Sequence, residues 1–143
     1  MFDKGTTILI VEDHPSVRQG VKNLLRHLEY EQVYEVDNGE KAWRMMVSSF
    51  NLPGVKPTYD LILCDWVMPV MTGVELLMKI RADKRFKDTP FVMLTGQTKQ
   101  EDVLKAIALG ADGYIVKPVT EKDLASGLKI AYRQCVKRQA QVA

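Results

Sequence analysis

The stretch ILIVEDHPSVRQGVKNLLRHL, residues 8–28, decides the fold class because it contains the patterns of a strand, a turn and a helix in that order. Residues 8–11 form a continuous apolar run, as in strands that are covered on both faces. Pro15 is typical of the first turn of a helix. The apolar residues that follow recur with the 3.6-residue period of one helix face: Val17, Val21, Leu24, Leu25 and Leu28. The stretch therefore predicts one strand followed by one helix.

The same unit recurs along the rest of the chain. Further apolar segments predict strands at 33–36, 61–64, 91–94 and 114–116. The patterns between and after them predict helices near 38–50, 73–85, 98–109 and 120–138. Only the strand at 33–36 alternates with a charged residue, Glu35, which is typical of an edge strand. Capping boxes that begin at Thr98 and Thr120 indicate helix starts, and Gly110 indicates a helix stop.

Strict alternation of strands and helices predicts an α/β protein with a parallel sheet, helices on both faces and right-handed crossovers. We find no linker and no internal repeat in the sequence. We therefore expect a single doubly wound (βα)5 domain over residues 1–143, with its core at about 7–138 and a short tail at each end.

Composition excludes several classes of protein. The chain has 143 residues, of which 46% are apolar and 27% charged, as in ordinary soluble globular proteins. No apolar run approaches the roughly 20 residues of a membrane span, and the first residues lack a secretory signal, so we expect a cytoplasmic protein without a membrane partner. The net charge of +2 comes without a strong basic cluster, so we expect no direct nucleic-acid binding. His14 and His27 have no ligand spacing, and the sequence predicts no zinc site.

Chemistry-bearing residues follow four of the five predicted strands. These residues are Glu12, Asp13, Asp65, Thr95 and Lys117. In open parallel sheets the ligand site lies at the carboxyl ends of the strands, so we expect these side chains to converge. Adjacent carboxylates repel one another unless a cation compensates, and their hard oxygens suit Mg²⁺. With a lysine and a hydroxyl for phosphoryl oxygens and a carboxylate nucleophile, the set predicts a site that accepts a phosphoryl group.

At these residues the sequence resembles the receiver domains of two-component response regulators, including the single-domain chemotaxis-type regulators. The resemblance covers about residues 7–138. The stretches that carry it are ILIVED at 8–13, DWVMPVMTG at 65–73, LTG at 94–96 and YIVKP at 114–118. Each stretch is a weak signal alone, but the set in this order and spacing is a strong one. The resemblance implies a flavodoxin-like fold with a five-stranded sheet in the order 2-1-3-4-5.

The resemblance also implies the reaction. Asp65 would accept a phosphoryl group from a histidine kinase or a phosphotransfer protein. Mg²⁺ would be held by Glu12, Asp13 and Asp65 and by the backbone carbonyl of Val67. The protein would catalyse only its own phosphorylation and dephosphorylation, and would not be a phosphatase acting on a separate substrate.

A conformational switch is the second implication of the resemblance. Thr95 and Lys117 would contact the phosphoryl group, and Tyr114 would swing inward when Thr95 moves. The alternative is that Tyr114 is only a core aromatic of an edge strand. The change would alter the surface formed by the predicted helix 98–109, the last strand and the helix 120–138, which we call the 98–138 face. A downstream protein or a second copy of the chain would bind there. The Lys117–Pro118 peptide bond is expected to be cis.

One position departs from the family pattern. Val67 lies two residues after Asp65, where relatives often carry a polar side chain, and a valine cannot orient a water molecule. Gln97, two residues after Thr95, still can. We therefore expect the loss of the phosphoryl group to water to be altered, and slowed, by Val67.

Other classes of protein remain as alternatives. A haloacid-dehalogenase-type phosphatase needs a second acid where this chain has Val67. A dinucleotide-binding protein needs a phosphate-cradling loop, but the acidic loop at 12–15 would repel phosphate unless it held a metal. The chain is also compatible with a docking module that is never phosphorylated, and with the receiver of a longer regulator.

Overall fold

The computed structural model of the protein describes residues 1–55, 58–96 and 99–142. Strands and helices alternate through this part of the chain, as the sequence predicts. The elements in order are β1 (Ile8–Val11), α1 (Pro15–His27), β2 (Val33–Val36), α2 (Gly39–Asn51), β3 (Leu61–Asp65), α3 (Gly73–Ala82), β4 (Phe91–Thr95), α4 (Gln100–Ala108), β5 (Gly113–Val116) and α5 (Glu121–Val142).

The five strands form one parallel sheet in the order β2-β1-β3-β4-β5. This confirms the predicted fold class and the edge position of β2. Side chains alternate between two buried layers, so that Leu9 and Val11 of β1 enter one layer and Ile8 and Ile10 the other. The first layer lies under α2, α3 and α4, and the second lies under α1 and α5. Because β1, β3 and β4 are buried on both faces, their sequences are continuous apolar runs.

Local signals explain several of the helix ends. Helix α1 begins at Pro15, and the Thr120 hydroxyl accepts the Asp123 N–H at 3.1 Å before α5. Gly110 follows α4 with a φ of +105°, which glycine adopts without strain. The capping box predicted at Thr98 lies outside the described residues, and α4 as described begins at Gln100. None of the helices in the described ranges is long and apolar enough to cross a membrane.

The predicted C-terminal end of α3 was wrong. Helix α3 ends at Ala82 and not at residue 85, whereas α5 continues past its predicted end at 138 to Val142. The Asp83 carboxylate accepts the backbone N–H of Arg85 at 2.8 Å and also binds its guanidinium group. This local turn gives the backbone an alternative to the helix, and the apolar period carries no information about it.

The loop between β3 and α3 is tightly folded against the end of β3. The Gly73 N–H donates to the Trp66 carbonyl at 2.8 Å. A Cβ atom at residue 73 would lie 2.1 Å from the Asp65 carbonyl oxygen, so only glycine fits there. Within this loop Val70 has a φ of +70°, a left-handed conformation that is strained for a β-branched residue. The loop thus fixes the backbone that directly follows Asp65.

Candidate functional site

The parallel sheet brings the predicted site residues together at the carboxyl ends of its strands. Glu12 follows β1, Asp65 ends β3, Thr95 ends β4 and Lys117 follows β5. The side chains of Glu12, Asp65 and Thr95 are buried, although all three are polar. Asp13, Asp65, Thr95 and Lys117 line an open cavity of about 490 Å³. Glu12 does not line this cavity but contacts Lys117, which does. The structure therefore brings the predicted residues together at one site.

Lys117 links two of the carboxylates. Its Nζ lies 2.8 Å from Glu12 Oε1 and 3.1 Å from Asp65 Oδ2. Burial alone would lower the pKa of this lysine, but the hydrogen bond to Glu12 and the charge of Asp65 raise it above its ordinary value. Lys117 is therefore a fixed positive charge at the base of the cavity.

Glu12 has an unusual electrostatic environment. Burial and the adjacent Asp65 carboxyl group raise its pKa from 4.5 to about 7, against the opposing effect of Lys117. Its Oε2 atom is buried and has no hydrogen-bond partner among the described residues. A buried oxygen without a partner is costly, and a bound cation would satisfy it.

The donor set fits a cation. Ligand atoms of Glu12, Asp13, His14 and Asp65 all lie within 4.8 Å of one another. Asp13 Oδ1, like Glu12 Oε2, is buried and makes no hydrogen bond within the described part of the chain. One Asp65 oxygen, Oδ1, is held by the backbone N–H of Trp66 at 2.7 Å. Two oxygens without hydrogen bonds, beside a fixed carboxylate, are the kind of ligands that a hard divalent cation requires.

His14 is the residue that the sequence interpretation left out of the site. Its Nδ1 lies 3.2 Å from Asp13 Oδ1 and 3.5 Å from Glu12 Oε1. The spacing of the two histidines in the sequence does not indicate a metal site. The usable signal was simpler, because His14 directly follows the acidic pair at the end of a strand.

A hydrogen bond and a ring contact connect the cavity to Tyr114 on β5. The half-buried Tyr114 is hydrogen-bonded to the Thr95 side chain, and its ring packs edge-on against Trp66 at a centroid distance of 6.5 Å. Burial and the charge of Asp102 raise the pKa of Tyr114, whereas the bond to Thr95 opposes them. The Lys117–Pro118 peptide bond is cis, as expected. Val67 lines the cavity but its side chain is 60% exposed, and Gln97 lies outside the described residues.

The raised pKa of Glu12 predicts a pH-dependent stability. With a chelator present to remove divalent cations, we expect the free energy of unfolding to fall as pH rises from 5 to 8. The part of this fall that comes from Glu12 is on the order of 2 kcal/mol. The folded chain keeps a proton on Glu12 up to about pH 7, whereas the unfolded chain releases it near pH 4.5. The stabilisation is therefore complete below pH 4.5 and is lost as pH rises through 7. Asp65, Lys117 and His14 face the same carboxyl group.

Urea unfolding at several pH values checks this prediction. In Glu12→Gln the neutral amide keeps a carbonyl oxygen for Lys117 but does not titrate. Subtracting the Glu12→Gln curve from the wild-type curve removes the contributions of the other groups. If both proteins lose the same stability between pH 5 and 8, the assignment to Glu12 is wrong.

Fold and site together define a flavodoxin-like α/β protein with an acidic, lysine-containing site at the carboxyl edge of its sheet. The family model for the response regulator receiver domain matches residues 8–129. The chain belongs to this family, and its relatives identify it as a chemotaxis-type receiver domain of two-component signalling.

Individual relatives agree with this classification. The chain is 39% identical over 128 residues to chemotaxis protein CheY-3 of Vibrio cholerae, an alignment that covers 90% of this chain and 92% of the relative. It is 39% identical over 117 residues to chemotaxis protein CheY of Pseudomonas aeruginosa, covering 82% and 88%. The solved structure of chemotaxis response regulator CheY4 of Vibrio cholerae is similar with a TM-score of 0.74 and 33% identity, covering 89% and 98%.

Proposed function

We propose that this receiver accepts a phosphoryl group on Asp65 from a histidine kinase or a phosphotransfer protein, in a step that depends on Mg²⁺. The observation that carries the proposal is the position of the Asp65 carboxylate. One of its oxygens is fixed by the Trp66 N–H, the other lies 3.1 Å from Lys117, and the group borders an open cavity. A carboxylate held in this way is a positioned nucleophile.

The chemical step exchanges one bond for another. An Asp65 oxygen forms a bond to phosphorus, while the bond from phosphorus to the donor's imidazole nitrogen breaks. The imidazole leaves with the electron pair and takes up a proton. Lys117 Nζ and the Thr95 hydroxyl then bind oxygens of the transferred group, and this stabilises the charge that the step places at the cavity.

Mg²⁺ would supply positive charge against the phosphoryl oxygens when it is bound. Glu12, Asp13 and Asp65, with the backbone carbonyl of Val67, are the residues that would hold it. Their oxygens include the two buried atoms that lack hydrogen bonds within the described residues.

We also propose that the protein has no separate substrate, and that it works in the cytoplasm without binding nucleic acid or membrane. Residues 1–143 would then act as one receiver domain with a core at about 7–138.

The hydrogen bond between Thr95 and Tyr114 supports a switch that leads away from the cavity. A bound phosphoryl group would draw the Thr95 hydroxyl toward it and so alter the partner of Tyr114 on β5. Beyond Tyr114, the described part of the 98–138 face carries exposed apolar residues on α4 and α5, among them Leu104, Ile107 and Ile130. Exposed apolar side chains of this size support a docking surface for a downstream protein or a second copy.

Intact-protein mass spectrometry tests the proposal. We expect one added phosphoryl group after incubation with acetyl phosphate and Mg²⁺, and none when Mg²⁺ is chelated. A phosphorylated histidine phosphotransfer protein serves as a second donor, because some receivers accept only from a protein. No adduct from either donor would overturn phosphoryl acceptance and leave the docking module as the function.

We predict that Val67→Asn shortens the lifetime of the phosphoryl group by about three- to tenfold, because an amide at the cavity can orient the attacking water and a valine cannot. The lifetime is the decay of the mass adduct after the donor is removed, with Mg²⁺ present. Val55→Asn is the matched control, since it makes the same substitution at an exposed valine that does not line the cavity. A Val67→Asn lifetime equal to that of wild type would refute this role of Val67.

A further inference from the structure

His14 occupies the N-cap position of α1 without using its side chain as a cap. N-cap side chains usually accept a hydrogen bond from an N–H of the first helical turn. In this protein the His14 side chain makes no such bond. Its Nδ1 instead lies 3.2 Å from Asp13 Oδ1 and 3.5 Å from Glu12 Oε1. The imidazole is therefore turned toward the acidic pair, although two-thirds of the side chain is exposed.

The shorter of these separations is close to that of two neighbouring ligands of one ion. With bonds of about 2.1 Å, neighbouring ligands of an octahedral cation are roughly 3 Å apart. The His14 nitrogen meets this condition with Asp13 Oδ1 at 3.2 Å, whereas the Glu12 oxygen at 3.5 Å, Oε1, is held by Lys117 at 2.8 Å. Ligand atoms of Asp65 and Glu12 complete a group within 4.8 Å. The contact with His14 does not satisfy Asp13 Oδ1 as a hydrogen bond. An independent sign of a ligand is Glu12 Oε2, an oxygen without a hydrogen-bond partner in the described ranges, on a side chain that is only 1% exposed.

The chemistry of imidazole sets the selectivity of such a site. Oxygen donors alone suit Mg²⁺, whereas an imidazole nitrogen adds affinity mainly for first-row transition cations. Because His14 is largely exposed, its ring can bind an ion with little loss of hydration. If His14 acted only as a positive charge beside the carboxylates, its removal would strengthen the binding of every divalent cation alike. The two roles therefore predict opposite results.

We propose that His14 is a nitrogen ligand of the acidic site, so that the site binds divalent transition cations such as Mn²⁺ and Co²⁺ more tightly than its carboxylates alone would. The proposal rests on the cation site of the proposed function and adds a ligand to it. His14 contributes little to the binding of Mg²⁺, which the carboxylate oxygens hold.

Calorimetric titration of His14→Gln with Co²⁺ and Mg²⁺ is the first test. We expect the affinity for Co²⁺ to fall at least about tenfold, and the affinity for Mg²⁺ to stay within about twofold of wild type. His27→Gln is the matched control, because His27 is the other histidine, is also largely exposed and lies beside Glu121 instead. It should change neither affinity.

Pulsed electron paramagnetic resonance of the Mn²⁺ complex supplies a direct readout. We expect a coupling from a bound ¹⁴N nucleus in wild type and in His27→Gln, and its loss in His14→Gln. If Mg²⁺ binds but the coupling is absent, or if both affinities change alike, the role of His14 is overturned and the carboxylate site stands. If neither Mg²⁺ nor Co²⁺ binds wild type, the cation site of the proposed function fails as well.

Discussion

Asp65→Asn is expected to abolish the phosphoryl adduct completely while leaving the fold intact. The amide has no charge and is not a nucleophile toward phosphorus, and the substitution also removes one carboxylate from the proposed cation site. The side-chain oxygen that accepts the Trp66 N–H at 2.7 Å is retained. Lys117 keeps its 2.8 Å bond to Glu12. Since Asp65 raises the pKa of Glu12, its loss also relieves repulsion, and the stability should be equal to wild type or higher.

The measurement is the intact mass after incubation with acetyl phosphate and Mg²⁺, with urea unfolding as the check on folding. Asp37→Asn is a suitable control, because Asp37 follows β2 at the same edge of the sheet and pairs with Lys41. We expect the control to form the adduct at the wild-type rate. An adduct that persists in Asp65→Asn would show that another residue is the acceptor.

The strands were predictable from the sequence to within one residue at each end. The reason is burial: β1, β3 and β4 are covered on both faces, so their apolar runs end at the last strand residue or one residue before it. Glu35 alone was enough to predict the edge position of β2. Periodicity failed at the end of α3, where a hydrogen bond that the Asp83 side chain accepts from a backbone N–H decides the outcome. Such local competition leaves no periodic trace in the sequence.

The site was predictable as a set of residues but not as an arrangement. Parallel strands end at one edge, which is why Glu12, Asp65, Thr95 and Lys117 could be grouped from their positions after four strands. No pattern of residues predicts that Lys117 reaches both Glu12 and Asp65, or that one Glu12 oxygen lacks a hydrogen bond in the described part of the chain. These facts depend on side-chain conformations in the folded state.

A buried ion cluster at Asp112 was also missed, because its members are far apart in the chain. The Asp112 side chain is fully buried and binds Arg81 at 3.0 Å and Arg138 at 2.9 Å. It also accepts the backbone N–H of Phe91 at 3.0 Å. Burial lowers the pKa of Arg81 to about 10, with Arg138 adding to the effect and Asp112 opposing it. One carboxylate thus holds α3, α5 and the start of β4 together.

We predict that Asp112→Ala destabilises the protein by about 3–5 kcal/mol, because it leaves two largely buried guanidinium groups and a buried N–H without their shared acceptor. Urea unfolding at pH 7 measures the effect. If the slope of the free energy of unfolding against urea concentration is the same as in wild type, the substitution changes the stability without changing the surface exposed on unfolding. Asp88→Ala is the matched control, since Asp88 is half-exposed and lies 3.9 Å from the same Arg138. An exposed pair of this kind contributes at most about 1 kcal/mol.

Asp112→Asn separates this stabilising role from the phosphoryl chemistry. The amide oxygen can still accept the Phe91 N–H, but the charge that faces Arg81 and Arg138 is lost, so we expect a smaller loss of stability than in Asp112→Ala. Asp112 precedes β5, at the opposite edge of the sheet from Asp65. The folded Asp112→Asn protein should therefore form the phosphoryl adduct normally, whereas Asp65→Asn should be stable and form none. If Asp112→Ala is no less stable than Asp88→Ala, the buried cluster does not hold these elements together.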